Sequence, residues 1–505
     1  MTSRTETTPN CDDASIHTKC AYVEQDDLRT TFALALSDMY KREVPLYGDL
    51  IRIVKAVNEE TLAASLDPKI SAMRAGGADS QRLALERHGA IRLGTPTEFG
   101  TVRRIFAVLG MHPVGYYDLS VAGLPMHATC FRPTTTESLR RNPFRVFTTL
   151  LRPELVGNAE ARDLALDLLS KRKIFSAMLL DLLDTAEKQG CHLTHGQDTQ
   201  FVAEALKTFS WRPVAAAAHE EYLQLKVEHP ILADVACFHS AHINHLTPRA
   251  LDISTVPDRL AKESLAVKDR IEGPPARECP ILLRQTSFLA LEEGIQFPGP
   301  GGRLLNGTHK ARFGEIEERG AAVTSKGTQL YDVLLEEAFS RYVELPEPKS
   351  PRLLDRIFSD VFVKFPDTWK ELRKAGLIYC TYRSVGGPVS AADLEGACLD
   401  GLISRGIVEA VPITYEDFLP FSAAGIFQSN LQSTESATAL LTADASEDQA
   451  SLEIALSCPV MDSQLIYEEQ QERSLRNCAS ELGLQEDAFL LEINSSHSRE
   501  RVDKR

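Results

Sequence analysis

Two side chains that could do chemistry stand four positions apart in an otherwise apolar stretch, as His88 and Arg92. Residues at positions i and i+4 lie on one side of a helix and also on one side of a strand, so the two side chains share a surface in either structure. An imidazole can bind a metal ion, and a guanidinium can hold an anion through two hydrogen bonds. The pair predicts a site that combines a metal ligand with an anion-binding group.

Two later segments offer the remaining ligands that such a metal would need. The segment 242–249 carries His242 and His245, and the segment 312–320 carries Glu315 and Glu317. Two histidines and one carboxylate are the ligand set of non-haem Fe(II) oxygenases, which leave the other coordination positions open. The segments together therefore predict a metal-dependent enzyme that acts on an acidic small molecule, with a ligand set of the kind that Fe(II) oxygenases use.

Each later segment contains two possible ligands. Pro248 argues against a long helix through His242 and His245, and on a strand the two histidines would point in opposite directions. We therefore expect one ligand there and prefer His245. Glu315 and Glu317 share one face of a strand, so both stay candidates, with Glu315 preferred.

Purely structural roles could also explain these residues. A lone buried histidine such as His88 more often only hydrogen-bonds to the backbone, and strand glutamates more often pair with neighbouring arginines such as Arg312 and Arg319. Asn244 and Thr247 could support metal ligands through hydrogen bonds.

Four arginines stand in apolar or proline-bounded contexts and could each hold a carboxylate of an acidic substrate: Arg92, Arg132, Arg249 and Arg284. A structural salt bridge is the simpler interpretation for three of them. Arg92 is the exception because of its position relative to His88, and we expect it to bind the substrate.

Composition limits the possible partners. The 505 residues are 43% hydrophobic and 25% charged, as is ordinary for a globular protein. A net charge of −16 argues against nucleic acid or an anionic membrane as the main partner. The ten cysteines are scattered without a CxxC pair, which indicates free thiols. No apolar run of membrane-spanning length and no signal peptide occur, so we expect a cytoplasmic protein.

Apolar periodicity and turn residues outline the elements around the candidate site. Helical patterns run over 27–58, 159–189 and 461–483, and another begins after Pro213. Strand-like stretches occupy 101–110, 114–119, 280–288, 311–317, 377–382 and 406–411. The order lacks the strict alternation of a doubly wound sheet and predicts a mixture of α and β structure.

We expect the chain to divide into five segments. These are a disordered N-terminal segment (1–24), a catalytic metal-binding domain (25–428), a flexible loop (429–450), a C-terminal helical part of the same domain (451–485) and a polar tail (486–505).

At these residues the chain resembles the 2-oxoadipate dioxygenase/decarboxylase family, which is built on the vicinal oxygen chelate fold. The resemblance covers about residues 25–485 and rests on six motifs in a shared order: 86–92, 110–119, 242–249, 283–288, 312–317 and 415–427. It implies an α+β fold in which a central β-sheet or half-barrel encloses a metal site and is surrounded by helices.

The resemblance also implies roles for particular residues. Fe(II) would be bound by His88, His245 and Glu315, and Arg92 would contact the substrate. Backbone and hydroxyl contacts would come from Phe421 and Ser422. Phe421 is larger than the residue usual at its position, which leaves the preferred substrate chain length open.

The reaction implied is oxidation of 2-oxoadipate by O2 to D-2-hydroxyglutarate and two CO2, as a step of lysine catabolism. The partners are thus a 2-oxo dicarboxylic acid and O2. Two other classes stay open: a non-oxidative Zn, Ni or Mn isomerase or lyase of the glyoxalase type acting on an acidic small molecule, and a non-catalytic binder that has lost its metal. Oxygen consumption distinguishes the first class from a dioxygenase, and metal content distinguishes the second.

Overall fold

Eleven strands in the described part of the chain form the framework of the candidate site. The structure is a computed structural model, and it describes residues 22–64, 80–263, 270–287, 292–310, 312, 314–346, 350–386, 394, 398–419, 446–485 and 489. The strands are β1 (Arg87–Leu93), β2 (His112–Asp118), β3 (Met126–Arg132), β4 (Arg145–Leu151), β5 (His245–Pro248), β6 (Leu283–Ser287), β7 (Glu293–Pro298), β8 (Leu304–His309), β9 (Glu315–Arg319), β10 (Cys380–Ser384) and β11 (Val408–Pro412).

Five of these strands form the central sheet, in the order β2-β3-β4-β1-β5. Strand β1 runs parallel to β4 and antiparallel to β5. The antiparallel pair β6–β9 lies beside the β5 edge, where Arg249 and Glu317 form a bridge and the Ala250 amide donates to the Glu317 carbonyl at 2.7 Å. Strands β5 and β9 therefore bring two distant parts of the chain together next to β1.

Helices pack around this sheet. They are α1 (Gln25–Glu43), α2 (Pro45–Ala63), α3 (Ser80–Leu85), α4 (Pro96–Val108), α5 (Thr136–Arg141), α6 (Ala159–Lys171), α7 (Ala177–Lys188), α8 (Gln197–Phe209), α9 (His219–Glu228), α10 (Pro230–Ala236), α11 (Val256–Lys262), α12 (Ser325–Val343), α13 (Pro351–Phe362), α14 (Trp369–Lys374), α15 (Leu399–Ser404), α16 (Ser446–Leu456) and α17 (Ser463–Glu481). Three-residue 3-10 turns lie at Ser120–Ala122, Pro153–Leu155 and Pro300–Gly302. The predicted α+β class, with a central sheet surrounded by helices, is confirmed.

Both faces of the central sheet are covered, and each belongs to its own hydrophobic cluster. Ala90 and Phe147 lie in one cluster, whereas Ile91 and Val146 lie in the other. Successive side chains of a strand point to opposite faces, so β1 alternates between the two clusters. His88 and Arg92 consequently lie on the Ala90 face. The prediction that these two residues share a side agrees with this register.

One predicted strand is wrong: residues 101–110 lie mostly in helix α4. The Thr95 side chain accepts a hydrogen bond from the Glu98 amide, and Pro96 occupies the first turn, so the start of the helix is well specified. Val102 and Phe106 are buried four positions apart, at helical spacing. The β-branched residues of the segment concealed this period from the strand assignment.

Two long predicted helices are each divided in two. The 27–58 pattern is interrupted before Pro45, because proline disfavours helical backbone in the residue that precedes it. The 159–189 pattern ends at Lys171 and resumes at Ala177, where Ser176 caps the new helix through its hydroxyl. The helix expected after Pro213 is α9, and that expected over 461–483 is α17.

The other strand predictions overlap observed strands, with shifted ends. The stretch 114–119 overlaps β2, and 280–288 contains β6. The stretches 311–317, 377–382 and 406–411 overlap β9, β10 and β11, each of which begins and ends later in the chain. The predicted 429–450 loop lies partly outside the described residues, and its last residues, 446–450, are helical in α16 rather than part of a loop.

None of the described helices is both long and apolar enough to cross a membrane. The described cysteines, Cys130, Cys191, Cys237, Cys279, Cys380, Cys398, Cys458 and Cys478, are all free, as their scattered spacing predicted.

Candidate metal centre

The pairing of β1 with β5 brings the two preferred histidines together. His88 is opposite Thr247, and Ala90 is opposite His245. Directly paired residues of an antiparallel ladder point to the same face, so His88 and His245 are diagonal neighbours on one face. Their ring centroids are 5.3 Å apart, with the ring planes nearly perpendicular at 88°.

Gly89 permits this close approach. A Cβ atom at this position would lie 2.6 Å from the Ile243 side chain and 3.1 Å from the carbonyl oxygen of His245. Any larger residue would push the segment before β5 away from β1. The glycine between the two polar positions of β1 therefore allows His245 to reach His88.

Strand β9 brings the carboxylate. Glu315 Oε2 lies 2.9 Å from His88 Nε2 and 3.4 Å from His245 Nε2. The three ligand atoms lie within 4.8 Å of one another, and all three residues are buried. We call His88, His245 and Glu315 the Glu315 cluster. These residues form a group that could hold a metal ion.

Glu315 and Glu317 share a face of β9, as their spacing predicted, but they contact different atoms of His88. Glu317 Oε2 lies 2.9 Å from Nδ1 of His88, on the side of the ring away from Nε2, although the ring N–H is not well aligned with the oxygen. Glu315 therefore faces the ligand atom shared with His245. Glu317 stands behind the imidazole, in the position from which carboxylates orient metal-bound histidines.

Hydrogen bonds fix the Glu315 carboxylate. The Thr247 hydroxyl donates to Oε2 at 2.9 Å, and the Gln285 amide donates to Oε1 at 3.3 Å. Thr247 thus lies in the supporting position expected for it, whereas Asn244 contacts a different carboxylate, Asp234, at 3.4 Å. The ring of Phe418 covers His88 edge-to-face at 4.9 Å and excludes water from that side.

Burial and neighbouring charges set the protonation of the cluster. Burial lowers the pKa of His245 to about 4, against the opposing effect of Glu315. This keeps the imidazole neutral, which is the form that binds metals. Burial by itself would raise the pKa of Glu315, but His245, His88 and Thr247 lower it below the usual range. The carboxyl is therefore ionised at neutral pH.

A buried network of arginines and carboxylates lies next to the cluster. Arg145 lies 2.9 Å from Glu317 and 3.1 Å from Glu86, and Arg319 lies 2.8 Å from Glu317. Burial alone would raise the pKa of Glu317, but Arg319, His88 and Arg145 lower it well below the usual range. The charge of Glu317 is thus compensated by arginines. Glu315, in the described part of the chain, has ion-pair contacts only with the two histidines.

Arg92 lies on the His88 face of β1 and its side chain is 16% exposed. Its Nη1 donates to Oδ2 of Asp234 at 2.7 Å. Asp234 is 5% exposed and also contacts His242 and His309. We call Asp234, His242 and His309 the Asp234 cluster. His242 therefore belongs to this second group and not to the Glu315 cluster.

The remaining arginine candidates form structural ion pairs. Arg284 points away from the Glu315 cluster and contacts Glu318 at 3.3 Å and the Pro274 carbonyl at 3.1 Å. Arg132 pairs with Asp417 through two hydrogen bonds, and Arg249 pairs with Glu86. The geometry favours the simpler interpretation for these three. Phe421 and Ser422 lie outside the described residues.

Asp234 and His309 did not stand out in the sequence. Asp234 is the single acidic residue of the apolar helix α10, a pattern that would have indicated a buried carboxylate in need of partners. His309 ends β8 and has no spacing relation to the other histidines, so no comparable signal pointed to it.

The comparisons with known proteins agree on one family. A model of the 2-oxoadipate dioxygenase/decarboxylase family matches residues 32–430. A Pseudomonas putida protein named 2-oxoadipate dioxygenase/decarboxylase is 44% identical over 465 residues, covering 92% of this chain and 98% of that protein. An Escherichia coli K12 protein of the same name is 46% identical over 458 residues, covering 90% and 98%.

The architecture is also similar to a solved structure. The crystal structure of the hydroxyglutarate synthase from Pseudomonas putida in complex with 2-oxoadipate matches with a TM-score of 0.83 at 43% identity. The match covers 92% of this chain and all of that one.

Proposed function

The chain belongs to the 2-oxoadipate dioxygenase/decarboxylase family, and from that premise we propose that it converts 2-oxoadipate and O2 to D-2-hydroxyglutarate and CO2 at the Glu315 cluster. The observation that carries the proposal is the convergence of His88, His245 and Glu315 from three distant segments within 4.8 Å. This ligand set is the one that non-haem Fe(II) oxygenases use, and we infer Fe(II) as the cofactor.

The products follow from a count of carbon and oxygen atoms. 2-Oxoadipic acid and 2-hydroxyglutaric acid carry the same number of hydrogens and the same number of oxygens, and they differ by a single carbon. That carbon leaves as one CO2, whose two oxygens balance the O2 consumed, so the expectation of two CO2 was wrong. Both atoms of O2 are thus retained in the products taken together, as befits a dioxygenase. The place of the reaction in lysine catabolism stays a prediction from the family resemblance.

The residues of the cluster fit the ion on charge as well as on spacing. Burial lowers the pKa of His245 to about 4, so this imidazole is neutral. Burial by itself would lower the pKa of His88 too, but Glu317 and Glu315 raise it, so His88 would give up its proton on binding the ion. The Glu315 carboxyl is ionised, and no guanidinium among the described residues pairs with it. When bound, Fe(II) would provide open positions at which a 2-oxo acid chelates and O2 is activated. The surrounding side chains hold these ligands in place, and Phe418 keeps water from one side of His88.

The side chains that contact the candidate ligands determine how those ligands are oriented. Glu317 contacts His88 Nδ1, which favours a proton on that nitrogen and leaves Nε2 as the ligand atom. Thr247 and Gln285 each donate to the Glu315 carboxylate and restrict its rotation. We therefore assign the ligand role to Glu315 and the orienting role to Glu317.

Arg92 is the proposed substrate-binding residue. It lies two strand positions beyond Ala90 on the His88 face, and its guanidinium has donors beyond the one that Asp234 accepts. A guanidinium in this position would hold a substrate carboxylate and align the rest of the molecule with the metal. Contacts from Phe421 and Ser422 are proposed on the order of the family motifs alone.

Oxygen uptake tests this function. The purified chain is reconstituted anaerobically with Fe(II) and then mixed with O2 and 2-oxo dicarboxylic acids of five, six or seven carbons. We expect equal amounts of O2 consumed, CO2 released and D-2-hydroxyglutarate formed from 2-oxoadipate, and no uptake by the metal-free chain. Conversion of 2-oxoadipate without O2 uptake, or with Zn(II) as well as with Fe(II), would instead indicate a non-oxidative isomerase or lyase.

A further inference from the structure

The Asp234 cluster has the same kinds of ligand group as the Glu315 cluster, two imidazoles and one carboxylate, at a similar spacing. Oδ1 of Asp234 lies 3.1 Å from Nε2 of His242 and 3.0 Å from Nε2 of His309. The three ligand atoms lie within 4.8 Å of one another, and the residues are buried. By spacing alone this would be a second metal site, so its other contacts decide what it does.

The carboxylate of Asp234 is already surrounded by donors. Oδ2 accepts from Nη1 of Arg92 at 2.7 Å and from the side-chain amide of Asn244 at 3.4 Å. Oδ1 contacts the two imidazoles. Burial by itself would raise the pKa of Asp234, but His242 and Arg92 lower it well below the usual range. An ionised carboxylate is thus fixed between Arg92 on one oxygen and histidines on the other.

Tyr222 on α9 indicates which nitrogen of His309 carries the proton. Its hydroxyl lies 2.9 Å from Nδ1 of His309 and 3.3 Å from the carbonyl oxygen of Thr308, so the nitrogen is the nearer acceptor. Burial raises the pKa of Tyr222 to about 12, so the hydroxyl keeps the proton that it donates. With Nδ1 accepting from Tyr222, Nε2 of His309 is the nitrogen that donates to Asp234, at 3.0 Å. The contacts form a continuous chain from Tyr222 through His309 and Asp234 to Arg92.

The charge on the carboxylate distinguishes the two clusters. The guanidinium of Arg92 neutralises the charge of Asp234, so this carboxylate adds no net negative charge with which the cluster could hold a cation. A divalent ion on Oδ1 would also lie close to the positive charge of Arg92, which is unfavourable in a buried site. In the described part of the chain, Glu315 pairs with no arginine or lysine, and its ion-pair contacts are with the imidazoles of His88 and His245, which can lose a proton to a metal ion. The contacts therefore favour an anchor for Arg92 over a second metal site.

We propose that Asp234, supported by His309 and Asn244, is a positioning residue that fixes the guanidinium of Arg92 for the substrate carboxylate. The proposal rests on the substrate-binding role given to Arg92 above. Asp234 accepts one N–H of the guanidinium and leaves the others free to face the substrate. The chain through His309 to Tyr222 holds the carboxylate in turn, so the position of Arg92 is set from α10 and β8 as well as from β1.

A double-mutant cycle tests the proposal. Asp234→Asn, Arg92→Ala and the double variant are compared with the native chain for kcat and KM with 2-oxoadipate and for iron per chain. The Asn side chain keeps the size of Asp and removes its charge. Because the carboxylate acts through Arg92, we expect Asp234→Asn to raise KM by about 10-fold or more, with a smaller fall in kcat and unchanged iron. In the Arg92→Ala background the same change should have less than about a 2-fold effect.

Two further variants keep the test informative if Asp234→Asn folds poorly. Tyr222→Phe removes only the hydroxyl behind His309, and we expect a rise in KM of about 2- to 3-fold without loss of iron. Glu318→Gln is the matched control, because Glu318 is 2% exposed and pairs with Arg284 on the other face of β9. Loss of the Glu318 charge should lower the melting temperature, and its effect on KM should not depend on whether Arg92 is present.

Three results would overturn the anchor. The effects of Asp234→Asn and Arg92→Ala could multiply, which would show that they act independently. Iron or zinc could fall from two ions per chain to one in Asp234→Asn, which would identify a second metal site. Tyr222→Phe and Glu318→Gln could change KM equally, which would indicate a general structural effect. Wild-type kcat and KM in Arg92→Ala alone would have a different meaning. That result would refute the proposed substrate-binding role of Arg92 itself.

Discussion

The Glu315 cluster and the Asp234 cluster have the same composition, two histidines around one oxygen of a buried carboxylate, yet their surroundings differ. Behind the Glu315 cluster stands a second carboxylate, Glu317, at 2.9 Å from a ligand histidine. Behind the Asp234 cluster stands a cation, Arg92, at 2.7 Å from the carboxylate itself. The first arrangement strengthens histidine as a ligand for a positive ion, and the second neutralises the anion that such an ion would need.

Residue types and spacing therefore do not by themselves identify a metal site. The charge that faces each carboxylate must be counted as well. The two clusters are also linked. Strand β1 supplies His88 to the Glu315 cluster and Arg92 as the partner of Asp234. The stretch 242–245, which ends at the first residue of β5, supplies His245 to the first cluster and His242 to the second. Metal binding and substrate orientation are therefore proposed as adjacent tasks built on the same two stretches of chain.

The largest expected difference between the two clusters is in bound iron, when the charge of each carboxylate is removed in turn. Glu315→Gln keeps the size of the side chain but loses the anionic ligand, so we expect loss of nearly all bound iron and a fall in turnover of about 1000-fold or more. Asp234→Asn should keep its iron. The check is metal analysis by mass spectrometry after anaerobic reconstitution. Iron retained in Glu315→Gln and lost in Asp234→Asn would reverse the two roles.

Glu317→Gln tests whether Glu317 orients His88 or binds the metal directly. The variant keeps a group next to His88 but removes the charge that orients the imidazole, so we expect a decrease in iron affinity of about 10- to 100-fold with activity restored at high Fe(II). Titration with Fe(II) under anaerobic conditions measures this. A variant that cannot be loaded at any Fe(II) concentration would favour Glu317 as a direct ligand.

The smallest effect is expected at Thr247. Thr247→Val removes the hydroxyl that donates to Glu315 at 2.9 Å, and the loss of one such hydrogen bond should weaken iron binding by about 5- to 10-fold. Thr286→Val is a matched control, since its buried hydroxyl donates to the Arg270 carbonyl and does not touch either cluster. Equal changes in iron affinity in both variants would show that the effect is general to this sheet rather than specific to Glu315.

The sequence predicted which candidate residues share a face, because the alternation of side chains along a strand is a local rule. His88 and Arg92 are four positions apart, so they share a side whether the segment is a helix or a strand. Glu315 and Glu317 are two positions apart, so they share a face of a strand. Which glutamate faces both histidines depends on how β9 lies beside β5, and no local pattern contains that register. The structure therefore assigned different contacts to two residues that the sequence could not separate.

Other features depended on partners far away in the chain. Asp234 and His309 meet because the fold brings α10 and the end of β8 together, and no spacing along the chain relates the two residues. The segment 101–110 was assigned to a strand because β-branched residues outweighed the cap at Thr95 and the helical spacing of its buried positions. Local rules gave the side on which a residue lies, and tertiary packing decided what it meets.

The location of the metal is the most direct test of the central claim. Crystals of the Fe(II)-loaded chain, measured on both sides of the iron absorption edge, give an anomalous difference map that shows iron alone. We expect a single peak within bonding distance of His88 Nε2, His245 Nε2 and the Glu315 carboxylate. A peak bound by Asp234, His242 and His309 instead would contradict it.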